Sequence, residues 1–366
     1  MIKRNLEKGD ARMRVRTPSY WREFSCLMGA CPDTCCRDWD IALDEAAREF
    51  YMAAPGPVGD ELRKLVARGG DCLALDHAPC PMLDETGLCR VQLAFGEERL
   101  TRSCALFPRF AEEYGALREW ALAIACPAAA RLVLTAEAPA AFTLEKTDEP
   151  LDGTNDLDAG LFYCLTKLRT AMFSIALERR LPFETRLALI VRLAAKAQKK
   201  LDHGKYSAAQ KIAERFEPER KAGRLAKFRG TDASAAAEIL ALLRSLDVLT
   251  PGYAQLLSRA RPDARAAADD PAWENLLVYF LYRYVLKAAV DGDLFGRVRA
   301  AAIGVLTVQM LAAAGGGDPD AITDAAYRYG REIEHDADNL MALVRAPLDE
   351  KRLLTAILQQ NVEAPA

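Results

Sequence analysis

The sequence has no marked excess of charge of either sign. Its 49 Lys and Arg stand against 52 Asp and Glu, a net charge of −3, so no bulk field draws it to nucleic acid or to anionic lipid. Glycine (22) and proline (18) are close to average, which excludes collagenous and low-complexity classes. No secretory signal is expected: the chain is charged from Lys3 onward and has no apolar stretch behind that charge. Long hydrophobic runs are also missing. The nearest is the uncharged segment 300–317, interrupted by Thr307 and Gln309 and closed by three glycines, and it is read as no membrane span. A cytoplasmic chain is therefore expected, with thiols kept reduced. At 366 residues, 51% of them hydrophobic, it is long enough for roughly two domains and a sizeable core.

What is present is cysteine, unevenly placed. Of 10 cysteines, all but Cys164 lie before residue 127. In a reducing compartment such clustering points to metal or catalysis before disulfides. Residues 1–150 are rich in turn signals, with short helices expected from Asp44 to about Met52 and from Asp60 to Val66, and a strand from Arg118 to Ile124. After the polar boundary at 149–156 the chain becomes Ala- and Leu-rich with a helical period. Helices are predicted over 157–180, 183–202, 207–228, 232–248, 253–261, 272–290, 294–313, 319–345 and 348–360, with Thr231, Asp269, Asp318 and Asp349 as starts. The fold class is thus mainly α: a small, loop-rich α+β cysteine-rich metal- or cluster-binding domain over 1–150, then a larger all-α domain over 151–366.

The pattern is Cys26-x4-Cys31-x3-Cys35-Cys36, then Cys80-x8-Cys89, then Cys104 and Cys126. Thiolates are soft ligands, suited to iron–sulfur clusters and to zinc. The Cys-x2-Cys knuckles of structural zinc are lacking, and adjacent Cys35-Cys36 is awkward around one small tetrahedral ion. Cysteine followed by proline, at Cys31, Cys80 and Cys126, recurs in ferredoxin-type ligand sets. A [4Fe–4S] cluster is the first reading, zinc or mononuclear iron the alternative, and either Cys35 or Cys36 is left as a non-ligand. Cys72 and Cys164 read as core thiols, His203 as a helix end, and His77 as a loop residue or a further ligand.

Several runs carry a resemblance. Pro18-Ser-Tyr20-Trp-Arg-Glu-Phe24-Ser-Cys26, the Cys-x3-Cys-Cys element followed by Arg37-Asp-Trp39-Asp-Ile41, Cys89-Arg-Val-Gln92 and Cys104-x2-Phe-Pro-Arg109 resemble the flagellin lysine-N-methylases. So do Ala125-Cys126-Pro127, Glu274-Asn275-Leu-Leu-Val-Tyr279 and Arg331-Glu-Ile-Glu-His335. The cysteine half also resembles small zinc- or iron-chelating Cys-x3-Cys-Cys domains, and the helical half favours the methylases. One departure is Ala125, where the family has serine.

The resemblance implies methyl transfer from S-adenosylmethionine to surface lysines of flagellin, by a protein holding an iron–sulfur cluster. The thiol pattern itself offers Cys26, Cys31, Cys35, Cys36, Cys80, Cys89, Cys104 and Cys126 as the ligand pool. The residues constrain the rest. No Gly-x-Gly-x2-Gly unit follows a strand, so the donor is not held in the common nucleotide fold. The radical motif Cys-x3-Cys-x2-Cys is incomplete, since Cys36 follows Cys35 at once. A cluster with one open iron corner would chelate the donor's amino and carboxylate groups; a closed four-cysteine cluster would serve structure or electron transfer.

Displacement by lysine needs a neutral amine, hence a base. Glu332, Glu334 and His335 are the candidates, against a reading in which Glu332, His335 and Asn339 form a solvated helix face. Arg109, Asn275 and Tyr279 are the candidate donor contacts. Arg109 either meets a carboxylate or pairs with Glu112 or Glu113, and Asn275 otherwise only opens its helix. Tyr279, Tyr282 and Tyr284 line a lysine channel or are aromatic core. The rival function is a non-enzymatic zinc- or iron-chelating protein whose helices bind a partner.

Overall fold

Asp44 accepts a hydrogen bond from the Ala47 amide at 3.1 Å and so starts the first helix, where the sequence places it. The computed structural model describes residues 12–37, 41–68, 79–150, 157–228, 235–267 and 271–358. Cys72, His77, Trp39, Thr231 and Asp269 lie outside them. Strand β1 (Arg12–Pro18) is followed by helices α1 (Glu45–Ala53), α2 (Gly56–Ala67), α3 (Arg90–Phe95) and α4 (Arg102–Leu106). Then come β2 (Arg109–Tyr114), β3 (Leu117–Leu122), α5 (Pro127–Leu134) and β4 (Phe142–Pro150).

The four strands form one sheet in the order β2-β3-β1-β4. β1 runs parallel to β3 and antiparallel to β4. β2 and β3 make a tight hairpin whose loop begins at Gly115, with φ of +58°, a left-handed turn position that suits glycine. Strands β1, β2 and β4 are additions to the sequence reading, which anticipates only the third.

The helical part contains α6 (Ala159–Ala176), α7 (Phe183–Leu201), α8 (Tyr206–Glu214), α9 (Pro218–Leu225), α10 (Ala235–Ser245) and α11 (Pro251–Arg259). It continues through α12 (Pro271–Tyr284), α13 (Ala288–Asp291), α14 (Leu294–Gly315), α15 (Pro319–Tyr329), α16 (Ala337–Val344) and α17 (Glu350–Leu358). The helix predicted over 207–228 is divided at Pro218, which has no amide to donate and instead opens α9. The one predicted over 319–345 is broken too. After α15 comes a single π-helical turn, Gly330–Glu334, and Asp336 then caps α16 through the Asp338 and Asn339 amides.

Helix α14 is long and apolar enough to cross a membrane, yet 78% of that stretch is buried within the protein. It packs against α7, α11, α12, α15 and α16 and is the centre of the bundle. Buried apolar residues fall into two groups. The smaller joins Ile41, Leu43, Tyr51, Leu62, Met82 and Val91. The larger takes in the helical bundle together with Tyr20, Phe24, Tyr114, Leu117, Leu122 and Ile124, so the sheet shares the core of the helices across the predicted boundary at 150. Both Arg169 guanidinium ends meet Glu119 at 2.6 and 2.7 Å, a fully buried forked pair that fastens β3 to α6. Arg169 also donates to the Tyr282 carbonyl.

Candidate functional site

A cavity of about 1110 Å³ opens between the smaller core, the β2–β3 hairpin and the π turn. Cys26, Cys31, Cys35, Cys36, Cys80, Cys89, Cys104 and Cys126 all line it. Local backbone geometry brings each one there. Cys26 accepts from the Met28 amide at 3.4 Å, and the Cys31 amide donates to the Met28 carbonyl at 3.0 Å, across a tight turn with Met28 at φ of +50°. The Cys36 amide donates to Thr34 Oγ1 at 3.2 Å, which shapes the Cys35-Cys36 corner. The Cys80 amide donates to the Cys36 carbonyl at 2.7 Å and joins the second cysteine segment to the first.

Cys80 and Cys89 bracket a turn held by Asp84 Oδ1, which accepts from the Thr86 and Leu88 amides. Cys104 lies in α4, its amide bonded to the capping Thr101 hydroxyl, and Cys126 stands at the N-terminal cap of α5. Cys164, by contrast, is buried in the helical core, where the sequence reading puts it.

The thiols are near enough to act on one another. The Cys36 S–H donates to Cys35 and lowers Cys35 to a pKa of about 7, while the same contact and burial push Cys36 well up. Burial raises Cys104 to about 11, with smaller contributions from Cys80, Cys89 and Cys35. Cys126 also rises to about 11 through burial, opposed by the Ala128 and Ala129 amides. Among the described residues no three His, Cys, Asp or Glu side chains form a group that could hold a single metal ion. The donors line one space and are all soft sulfur, a chemistry that fits iron–sulfur clusters and zinc alike.

The inner end of the cavity is built by the helices. Glu334, with a side chain only 1% exposed, accepts from the Tyr279 hydroxyl at 2.8 Å and from the Tyr284 hydroxyl at 2.8 Å. Burial drives both phenols far above their ordinary range, so they stay protonated donors. Arg283 Nη2 lies 3.8 Å from Glu334 Oε1, and its guanidinium stacks on Phe110 at 3.7 Å. His335 faces the cavity beside the Phe107 ring, at 6.0 Å between ring centres. Surrounding protein atoms, with the Arg283 and Arg331 guanidiniums, push its pKa down to about 4, so the imidazole is neutral near pH 7.

Arg109 lines the same space, stacked over Phe24 at 4.8 Å and Trp21 at 5.4 Å and donating to the Phe24 carbonyl. It pairs with neither acidic neighbour: Glu112 meets Lys287 and Glu113 meets Arg118.

Three of the expected site residues stand elsewhere. Glu332 is fully buried outside the cavity, and its carboxylate accepts from the Leu249 amide at 2.7 Å, the Thr250 amide at 2.8 Å and the Thr250 hydroxyl. Asn275 donates to the carbonyls of Leu134 and Ala136 and so closes the C-terminal end of α5. Tyr279 is a layer behind the cavity, touching it through Glu334, and its hydroxyl also accepts from the Ile124 amide at 3.3 Å. Nor is there a solvated face at Glu332 and Asn339: the π turn rotates both inward, and Asn339 donates to the Glu332 carbonyl. Tyr282 bonds the Arg16 and Trp120 carbonyls and stacks on Phe142 at 4.6 Å, packing the sheet and lining no channel.

Arg331 and Tyr284 carry more than the sequence reading gives them. Arg331 appears there only within a motif, and nothing local in that motif points to a partner near residue 33.

Fold and site together define a mainly helical protein with a thiol-walled cavity, at whose inner end a caged carboxylate meets a neutral imidazole. Comparison with known proteins gives this class a family. Residues 169–355 match the FliB lysine N-methylase C-terminal domain, about half the chain, and the chain belongs to that family. Over 122 residues it is 34% identical to the flagellar biosynthetic protein FliU of Salmonella muenchen, covering 31% of this chain and 72% of that one. The lysine-N-methylase of Salmonella typhimurium matches at 34% over 122 residues, spanning 30% of its own length. No solved structure matches the chain.

Proposed function

We propose that this protein is an S-adenosylmethionine-dependent protein lysine N-methyltransferase acting on flagellin in the cytoplasm, with a [4Fe–4S] cluster at its active site. The observation that carries the reading is that eight thiols share one cavity with Glu334 and His335. Family membership and the printed names of the relatives support the reaction and the substrate. The cluster ligands would come from Cys26, Cys31, Cys35, Cys36, Cys80, Cys89, Cys104 and Cys126. When bound, a cluster with an open corner would supply a Lewis-acidic site for the amino and carboxylate groups of the donor.

The chain's own residues then have defined tasks. A lysine ammonium, with an ordinary pKa of about 10.4, must lose its proton before its nitrogen can attack a methyl carbon. Entering a partly desolvated cavity beside Arg109, Arg283 and Arg331 lowers that pKa, because burial and like charge both disfavour the ammonium. Glu334 takes the proton, held in aim by Tyr279 and Tyr284. Neutral His335 accepts a hydrogen bond from the amine and orients its lone pair. Arg109, with no carboxylate partner among the described residues, is placed to meet the donor's carboxylate.

The test is anaerobic purification, iron and sulfide analysis, and mass spectrometry of flagellin incubated with the protein and S-adenosylmethionine. Lysine mass gains of one or more methyl groups, lost in Glu334→Gln, support the reading. A protein loaded with iron and sulfide that binds the donor yet leaves flagellin unmethylated overturns the substrate. Donor binding of equal strength by folded protein free of iron overturns the role of the cluster.

A further inference from the structure

Arg331 lends the reaction above only its positive charge, yet it is among the most heavily bonded side chains near the cavity. Its Nη1 lies 3.0 Å from Asp33 Oδ2 and donates to the Thr34 carbonyl at 2.9 Å, while Nη2 donates to the Arg37 carbonyl at 2.9 Å. The ion pair is nearly closed to solvent, at 10% and 13% side-chain exposure. Asp33 is itself fixed by the Thr34 amide and by Arg37 Nη2. One guanidinium thus reaches across 298 positions to the loop that carries Cys31, Cys35 and Cys36. Beyond the short turn at Met28–Ala30, that loop has no helix or strand among the described residues, so its carbonyls need outside donors.

The other side of Arg331 is equally constrained. It follows Gly330, where a Cβ would stand 2.6 Å from the Ala125 amide nitrogen, next to Cys126. It precedes Glu334 and His335 in the same π turn, a rare local geometry that recurs at functional sites. A single turn of backbone therefore touches the Cys126 segment, the Cys31–Cys36 loop and the inner end of the cavity.

We propose that Arg331 is a positioning residue that sets the Cys31–Cys36 loop in register with Glu334 and His335. This rests on the reading that the thiols hold an inorganic group beside that carboxylate. A planar fork is required, since one carboxylate and two carbonyls are met from fixed directions that a lysine ammonium cannot reproduce.

The experiment uses the full chain, reduced and free of metal, and follows iodoacetamide alkylation of each cysteine by mass spectrometry. In Arg331→Gln, the half-buried Cys31 and Cys36 should react about tenfold faster as the loop opens locally, with Cys89 and Cys164 unchanged. Arg331→Lys should fall between. After loading with iron and sulfide, the visible circular dichroism of Arg331→Gln should differ from that of the unaltered protein. Equal alkylation rates in a natively folded Arg331→Gln overturn the proposal. Should that variant not fold, Asp33→Asn removes the same ion pair without touching the π turn and is read in the same way. Faster alkylation in a chain whose unaltered form takes up no iron upholds Arg331 as the loop's anchor and overturns the cluster reading instead.

Discussion

Tyr279 and Glu334, 55 positions apart, meet at 2.8 Å through a buried hydroxyl and a carboxylate oxygen. Tyr284 meets the other oxygen at the same distance, so the carboxylate is held at both ends by one helix. Each phenol is a neutral donor to a charged acceptor, a class of bond whose loss costs about 1.5–3 kcal/mol. Tyr279→Phe and Tyr284→Phe should each lower unfolding stability by about that much. Each should also slow methylation by about 10–100-fold through misplacement of Glu334, read by denaturant titration and single-turnover mass spectrometry.

Glu332 gives the opposite outcome. Glu332→Ala leaves the part-buried Leu249 and Thr250 amides without their acceptor, and should cost about 1–3 kcal/mol of stability. Under the proposed function, the protein that remains folded should bind S-adenosylmethionine with the affinity of the unaltered chain, by calorimetry. A large loss of binding with stability intact would move Glu332 back into the site.

Gly330→Ala tests the close approach of the π turn to the sheet. The new methyl would meet backbone atoms of Ala125 and Ile124 at 2.6 and 2.9 Å, which cannot swing aside as a side-chain end can. A loss of about 1–3 kcal/mol is expected in chemical unfolding.

His335 sets a pH signature. Its pKa is about 4 in the folded protein against 6.5 as the ordinary value, so between those limits the unfolded chain binds the extra proton. Stability from this group is therefore full above pH 6.5 and is lost as pH falls toward 4. The melting temperature of the unaltered protein should fall more steeply over that window than that of His335→Asn. Parallel curves would show that the imidazole titrates normally.

The helical part was largely legible in the sequence, because apolar spacing, Asp318 and Pro182 mark helices by local chemistry alone. The breaks were less so. Pro218 is a local stop that the long apolar period of 207–228 masked, whereas the π turn at 330–334 is marked in sequence only by Gly330, whose role shows once Ile124 and Ala125 are seen packed against it. Strand β1 alternates arginines with Met13 and Val15, and β4 reads Phe-Thr-Leu-Glu-Lys-Thr-Asp-Glu-Pro, both too polar to announce a sheet before their partners are known. Within the site, thiol chemistry made the cysteines visible. Glu332 and Glu334 are two apart in one motif, and only the rotation of a helical turn decides which faces the cavity.

The order of the sheet bears on how the chain matures. β1, made first, lies between two neighbours: Arg16 reaches Glu119 across 103 positions and Thr17 reaches Thr143 across 126. At ribosomal speeds of about 5–20 residues per second, that strand waits roughly 5–25 s for both flanks to emerge. By the end of that interval Cys26 through Cys104 have been made, while the helices from α6 onward have not. Biosynthesis thus leaves a period of several seconds in which the cysteine segment lacks the helices that complete its cavity.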